Sequence, residues 1–296
     1  MFTKQGSRVD VLLLTVAVFW GSSYYFAKQL TAHASVPGML AIRFSVASVI
    51  MLGIWFFRRS KFTKADLVGG AITGVSLFVI MIIETTSISL TSATNAGLII
   101  SLTIILTPIF ESMWSRSWLP RKFFIAAFGS VIGVAFLVSA NGFVNPNIGD
   151  IIMLAAATLR AATTVAQGHI MKAKSAGTYN VTIVQIAVAA LLFVCVDPAG
   201  TFNAATTFEL AQWGDVMFLV LFCTVFGFVA LLWGIRKTSS SRASLLLSTE
   251  PVWAVIVPLV IGGEVMGWLG FVGAALIIGS CYWGLGIEAR HRAATA

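Results

Sequence analysis

Three ionisable side chains fall well inside apolar runs of the chain: Arg43 in AIRFSVASVI, Arg160 in MLAAATLRAATTVA and Glu250 in LLLSTEPVWAVIVPL. Charge in such a setting is costly and marks binding or transport by default. Arg160 follows Asp150 by ten residues and Glu250 follows Arg242 by eight, depths of about 15 and 12 Å at the helical rise of ~1.5 Å per residue. A planar guanidinium fork suits a carboxylate, and a carboxylate suits an ammonium, so the two match the ends of a zwitterionic amino acid. They equally suit each other as a permanent pair between helices, and Arg160 also suits a backbone carbonyl or a separate polar pocket. Residue types alone leave these readings open. Glu250 is the candidate for exchanging a proton. Arg43, about seven residues into its run, either snorkels to the interface or serves a site; Gln185 is its nearest counterpart in the second half of the chain.

Around these charges stand residues that suit a cavity wall or a binding contact: Trp20, Tyr24, Trp233 and Trp253 among the aromatics, Gln167 and Ser248 among the polar groups. For each of them ordinary packing is the competing reading. Pro108, Pro251 and Pro258 each remove a helical hydrogen bond and are candidate hinges. Glu84 and Glu111 fall near the ends of runs, where interfacial water or a neighbouring base would satisfy them, and Lys28, at the outer end of its run, is read as interfacial. Catalytic and metal signatures are missing: there is no G-x-S-x-G, no G-x-G-D and no G-x-x-x-x-G-K-[ST] phosphate loop, and His33, His169 and His291 are scattered. Cys195, Cys223 and Cys281 lack ligand spacing. The expectation is a protein without cofactor or metal, not an enzyme.

The elements that must position these groups follow from composition. Hydrophobic residues make up 58% of the 296 and charged ones 10%, against roughly 25% charged in globular chains. Apolar runs of about 20 residues, each long enough to cross a bilayer as a helix, recur at 10–30, 36–57, 66–88, 92–114, 121–140, 149–171, 179–197, 213–234, 241–261 and 265–287. The predicted fold is all-α, a polytopic membrane protein of ten transmembrane helices. The first run continues past Trp20 without a cleavage site, so it is read as a retained span. Of the 19 lysines and arginines, all but Lys28, Arg43 and Arg160 fall on the side that holds both ends of the chain. By the positive-inside rule that side is the cytoplasm of a bacterial-type inner membrane. The net charge of +8 is thereby explained without nucleic acid.

Self-comparison shows a repeat. TSATNAGLIISL at 91–102 aligns with TSSSRASLLLST at 238–249, a shift of 147 residues (238 − 91). Each half holds five spans, and five is odd, so the copies (10–140 and 149–287) lie in opposite orientations. Inverted repeats of this kind place a substrate near the midplane and give two states open to either side. Gly129 and Gly133 form a small-x-x-x-small pair in the fifth span, with Ala275 and Gly279 as its analogue in the tenth. They suit close packing within the monomer or a dimer face; the oligomeric state is open.

FWGSSYYFAK in span one, AIRF in span two, TSATNAGLI opening span four, GDIIMLAAATLRA in span six, and SRASLLLSTEPVWAVI with GGE from span nine onward together resemble the drug/metabolite transporters of the ten-span, two-repeat EamA type. Within that superfamily the chain is most similar to YddG-type exporters of aromatic and other amino acids. The resemblance implies a basket of helices around a central cavity, small-molecule substrates, and an alternating-access exporter in a lipid bilayer. Export of drugs or xenobiotics is the alternative it implies. Two positions depart from the pattern: Arg160 stands where the family usually has an aromatic, and the only acidic residue of span one, Asp10, lies at its end.

Overall fold

The structure is a computed structural model, and it describes residues 4–90, 99–138, 148–172, 177–261 and 267–295. Among these the chain is helical, without a strand. The helices are α1 (Lys4–Thr31), α2 (Val36–Arg58), α3 (Lys64–Leu90), α4 (Thr103–Ser115), α5 (Arg121–Val138), α6 (Ile148–Lys172), α7 (Thr178–Val196), a short α8 (Pro198–Thr207), α9 (Leu210–Lys237), α10 (Ser240–Leu247), α11 (Glu250–Ile261) and α12 (Trp268–Thr295). Seven are long and apolar enough to cross a membrane: α1, α2, α3, α6, α7, α9 and α12. The expected span at 92–114 begins outside the described residues, and 121–140 is described as far as Val138. The expected span at 241–261 is not one helix but two, α10 and α11, parted by a turn at Ser248–Thr249.

Proline chemistry explains that break. The ring of Pro251 would collide with the carbonyl four residues back, which belongs to Leu247, the last residue of α10. Pro251 instead occupies the first turn of α11, where a missing N–H costs nothing. Pro251 is therefore a helix starter and not a bend within a span. The carbonyls left at the break are taken up locally, Ser248 donating to Leu245 O at 2.6 Å and Thr249 to Leu246 O at 2.9 Å. A second turn, at Ser101–Leu102, precedes α4, and there Thr103 donates to Ile100 O at 2.9 Å. The two turns are 147 residues apart (248 − 101). Pro108 lies inside α4; of Pro258, only its place within α11 is described.

Helix ends are fixed by side chains. At the basic end of the bundle Asp66 accepts from Thr63 N, Gly177 N and Asn180 Nδ2, joining the start of α3 to the start of α7. At the opposite end Ser35 caps α2 and donates to Asp197, which itself caps α8 through Gly200 N. Elements of the two halves interleave: α3 lies between α6 and α7, α1 runs along α9, α10 and α11, and α5 packs along α12. In α5, a Cβ on Gly133 would come within 2.8 Å of Gly273 O, and one on Gly129 within 2.6 Å of Ser280 Oγ. The glycine pair is thus used inside the monomer, against the Gly273–Ile277–Ser280 face of α12. Gly279 looks onto open space. Phe56, Phe57, Phe128, Phe271 and Tyr282 are exposed on the outer faces of α2, α5 and α12, a surface suited to lipid and too apolar for water.

Candidate functional site

Trp20 of α1 organises the centre of the bundle. Its indole donates to Cys223 O at 2.8 Å, and Cys223 Sγ returns a bond to Phe19 O at 3.2 Å. Cys223 lies in the stretch Leu219–Phe226 of α9, which is wound as a π-helix. Wide turns of this sort leave carbonyls off the regular ladder and recur at functional sites. One glycine seats the indole and another lets α1 approach α11. A Cβ on Gly227 would meet Trp20 Nε1 at 2.5 Å, and one on Gly21 would meet Glu250 O at 2.5 Å and Trp253 Cβ at 2.6 Å. Phe19 sets its ring among Phe218, Phe222 and Phe226, with centroids 6.2, 5.0 and 5.7 Å away. Their i, i+4 spacing aligns them along one face of α9.

Beside Trp20 lies an ion cluster. Arg160 Nη1 (α6) bonds Glu84 Oε1 (α3) at 3.1 Å, and Arg160 Nη2 stands 3.8 Å from Glu250 Oε2 (α11). The guanidinium carbon is 5.9 Å from the centre of the Trp20 ring, within cation–π range. Glu250 opens α11, so its carboxylate also sits at the positive end of that helix dipole. The pairing of a carboxylate with a proline in the sequence thereby has a physical account: together they start a helix inside the bundle and hold an anion at its tip. Arg160 and Glu250 do face each other, as one of the open readings held, with the tighter bond going to Glu84.

Glu84 meets a neighbouring base, one of the two outcomes expected for it, and that base is Arg160. The predicted span ended at 88, but α3 continues to Leu90, which puts Glu84 six residues inside, about 9 Å. Glu111 departs from expectation. Instead of reaching interfacial water, its carboxylate accepts from Ser240 N at 3.2 Å and Ser241 N at 2.6 Å, capping α10 from α4.

Arg43 does not snorkel. Its Nε donates to Thr224 Oγ1 at 2.8 Å, and Thr224 lies 14 residues after Leu210 and 13 before Lys237, midway along α9. Gln167 and Ser248 are buried, Ser248 being spent on the helix break. Trp253 lies against α1 at Gly21. Trp233 is exposed, at 36% of its surface, and has no described contact with Trp20 or the ion cluster. The side chains of Tyr24, Lys28 and Pro258 lie outside the described residues. His169 stacks on Trp114 at 4.7 Å.

A second ion cluster, which sequence reading did not assemble, closes the basic end. Arg242 of α10 makes a two-bond fork with Asp10 of α1 (2.9 and 2.7 Å) and a third bond to Glu288 of α12 at 2.7 Å. Arg242 is 5% exposed and Glu288 2%. Ser239 donates to the other Glu288 oxygen at 2.9 Å. Asp10, noted in the sequence only as lying at the end of span one, is one pole of this cluster.

The EamA-like transporter family matches the chain twice, over residues 7–139 and 147–285. An uncharacterized transporter of Archaeoglobus fulgidus is 28% identical over 275 residues, covering 91% of this chain and 83% of its own length. Two uncharacterized transporters of Bacillus subtilis are also similar: YetK, 26% identical over 293 residues (95% of this chain, 88% of its own), and YyaM, 24% over 284 (92% and 91%). A protein of known crystal structure superposes with a TM-score of 0.82 at 18% identity, covering 96% of this chain and 98% of that one, so the fold is shared. A multi-pass helical bundle with charges paired inside it, and relatives that are transporters rather than enzymes, agree with the twofold match: this chain belongs to the EamA-like transporter family.

Proposed function

We propose that the protein is an inner-membrane secondary transporter that exports small metabolites, foremost amino acids including aromatic ones. It works by alternating access of two inverted five-helix repeats, 10–140 and 149–287. In this reading there are ten spans, both termini are cytoplasmic, and the branch is that of the YddG-type amino acid exporters. The observation that carries it is the Glu84–Arg160–Glu250 cluster at the tip of a helix that begins inside the bundle. A discontinuous helix aiming its N-terminus at a charged group is how secondary transporters hold polar substrates away from water. The twofold family match and the pair of helix breaks 147 residues apart support the repeat. The near absence of lysine and arginine from the other side supports the orientation.

The residues act as follows in this reading. Glu84 and Glu250 receive the substrate ammonium, or a proton in its absence, with Arg160 moving between them as the charge arrives. Trp20 forms an aromatic wall of the site. Turns at Ser101–Leu102 and Ser248–Thr249 let the half-helices α4 and α11 tilt when the bundle changes state. Purified protein in proteoliposomes loaded with unlabelled neutral amino acids is expected to accumulate radiolabelled phenylalanine or leucine by counterflow. Glu250→Gln is expected to slow this at least tenfold and to flatten its response to a pH gradient. Absence of counterflow with every amino acid, alongside efflux of lipophilic dyes, would sink the amino acid reading.

A further inference from the structure

We infer that Arg43 is an anion subsite built to take the carboxylate of the transported molecule. Among the described residues the ion pairs join Arg160 to Glu84 and Glu250, and Arg242 to Asp10 and Glu288. Arg43 is in none of them. Its one hydrogen bond is Nε to Thr224 Oγ1, and Thr224 is itself held by donating to Leu219 O at 2.9 Å across the π-wound turn. That bond fixes the plane of the guanidinium and leaves the four N–H groups of Nη1 and Nη2 without a protein acceptor among the described residues. A rigid fork with its donors open is the geometry that binds a carboxylate by two bonds.

Depth excludes the bland explanations. Arg43 is about 10 Å from the start of α2 and Thr224 about 20 Å from either end of α9, and the bond to Thr224 ties the guanidinium to that inner level instead of an interface. Arg43 is partly buried and keeps part of its surface. Charge in hydrocarbon is costly enough that such a surface belongs toward the bundle interior and not toward lipid. The ring of Phe44 lies 5.6 Å from its guanidinium carbon and supplies partial cover, not a counter-charge.

The position of Arg43 also has a sense within the site. Thr224 follows Cys223, whose carbonyl holds the Trp20 indole, and Arg160 with its two carboxylates lies against the same indole. Positive charge stands on the α2–α9 side and carboxylates on the α3–α11 side, with Trp20 between. Resting on the small-molecule transport proposed above, this polarity assigns a substrate carboxylate to Arg43 and its positive group to Glu84 and Glu250. It also frees Arg160 from the carboxylate-binding role that its sequence position suggested.

Binding tests this without transport. Melting of the purified protein in a neutral detergent is followed by intrinsic fluorescence with 3-phenylpropionate, with phenethylamine (a comparable ring, no carboxylate) and with phosphatidylglycerol. The expected result is stabilisation of the wild type by 3-phenylpropionate, abolished in Arg43→Gln while any effect of phenethylamine persists. Ligand-free Arg43→Gln is expected to melt at or above the wild type, because a desolvated charge without a counter-ion is removed. A brace between α2 and α9 would melt below it. Should Arg43→Gln fail to fold, Arg43→Lys and Thr224→Val carry the test. Each is expected to raise the half-saturating concentration of 3-phenylpropionate about tenfold, the loss of roughly one good hydrogen bond. Equal stabilisation of wild type and variants, no stabilisation of the wild type, or stabilisation by phosphatidylglycerol alone overturns the inference. Counterflow failing while the carboxylate effect tracks Arg43 would fault the amino acid reading and leave this one standing.

Discussion

Arg160 serves two carboxylates, so removing it leaves Glu84 and Glu250 facing each other in a poorly hydrated interior. Arg160→Gln is expected to lower stability by about 1–3 kcal/mol, less than the ~3–5 of a fully buried broken pair, since the side chain keeps 26% of its surface. Adding Glu84→Gln should recover most of the loss in denaturant titration, and failure to do so would show that the two acids do not repel through this site. Asp197 gives a residue-scale prediction outside the membrane-spanning helices. Hydrogen bonds from Ser35 and Gly200 N hold its carboxyl below the usual 3.8. A depressed folded-state value contributes stability above the unfolded value and loses it as pH falls through the folded one. The hydrogen-exchange protection factor at the α2–α8 corner should therefore be flat from pH 8 to 5 and fall only below the ordinary aspartate range, a fall that Asp197→Asn removes. At this scale the sequence disclosed Arg160 and Glu250 because charge inside an apolar run is conspicuous. For Glu84 the sequence allowed a neighbouring base but could not name it, because pairing between helices leaves no local pattern, and the role of Trp20 was hidden by the fact that its acceptor is a backbone carbonyl, which no side-chain pattern reports.

Among the elements, α1 and the start of α11 approach closely enough for one side chain to matter. Backbone meets backbone at Gly21, so a methyl group there must push the two helices apart, an overpacking cost of about 1–3 kcal/mol. Gly21→Ala is expected to lower the melting temperature and to slow counterflow, because Trp20 and Glu250 move with it. Gly53→Ala, on α2 with nothing within 4 Å, is the matched control; helix propensity should leave its melting temperature level or slightly raised and its counterflow unchanged. An equal loss in both variants would show that the Gly21 contact is not the cause. The long helices were legible from hydropathy alone. The division of 241–261 was not, since α10 and α11 are both apolar and a window of about 20 residues averages over a two-residue turn. The sign is Pro251, whose clash with the Leu247 carbonyl ends one helix and starts another. The π-wound stretch of α9 left no sequence mark, because its composition suits an ordinary helix equally well.

For the whole molecule, the cluster of Asp10, Arg242 and Glu288 ties α1, α10 and α12 at the basic end. Its positions 147 residues away are Asn95, Ala157 and Asn141 (242 − 95, 157 − 10 and 288 − 141), none of them charged. In the proposed two-repeat reading, the sequence offers no charged counterpart of this cluster. Asp10→Asn keeps a one-to-one Arg242–Glu288 pair, and it is expected to raise labelling of a cysteine placed near Thr103 by an impermeant maleimide added from the basic side. An unchanged labelling rate would mean that the cluster only braces the fold. The consequence is kinetic. In the proposed alternating-access cycle, reopening toward the basic end with no cargo to help becomes the slow leg, so one-for-one exchange should outrun net flux. Loosening Asp10 should bring the two rates together.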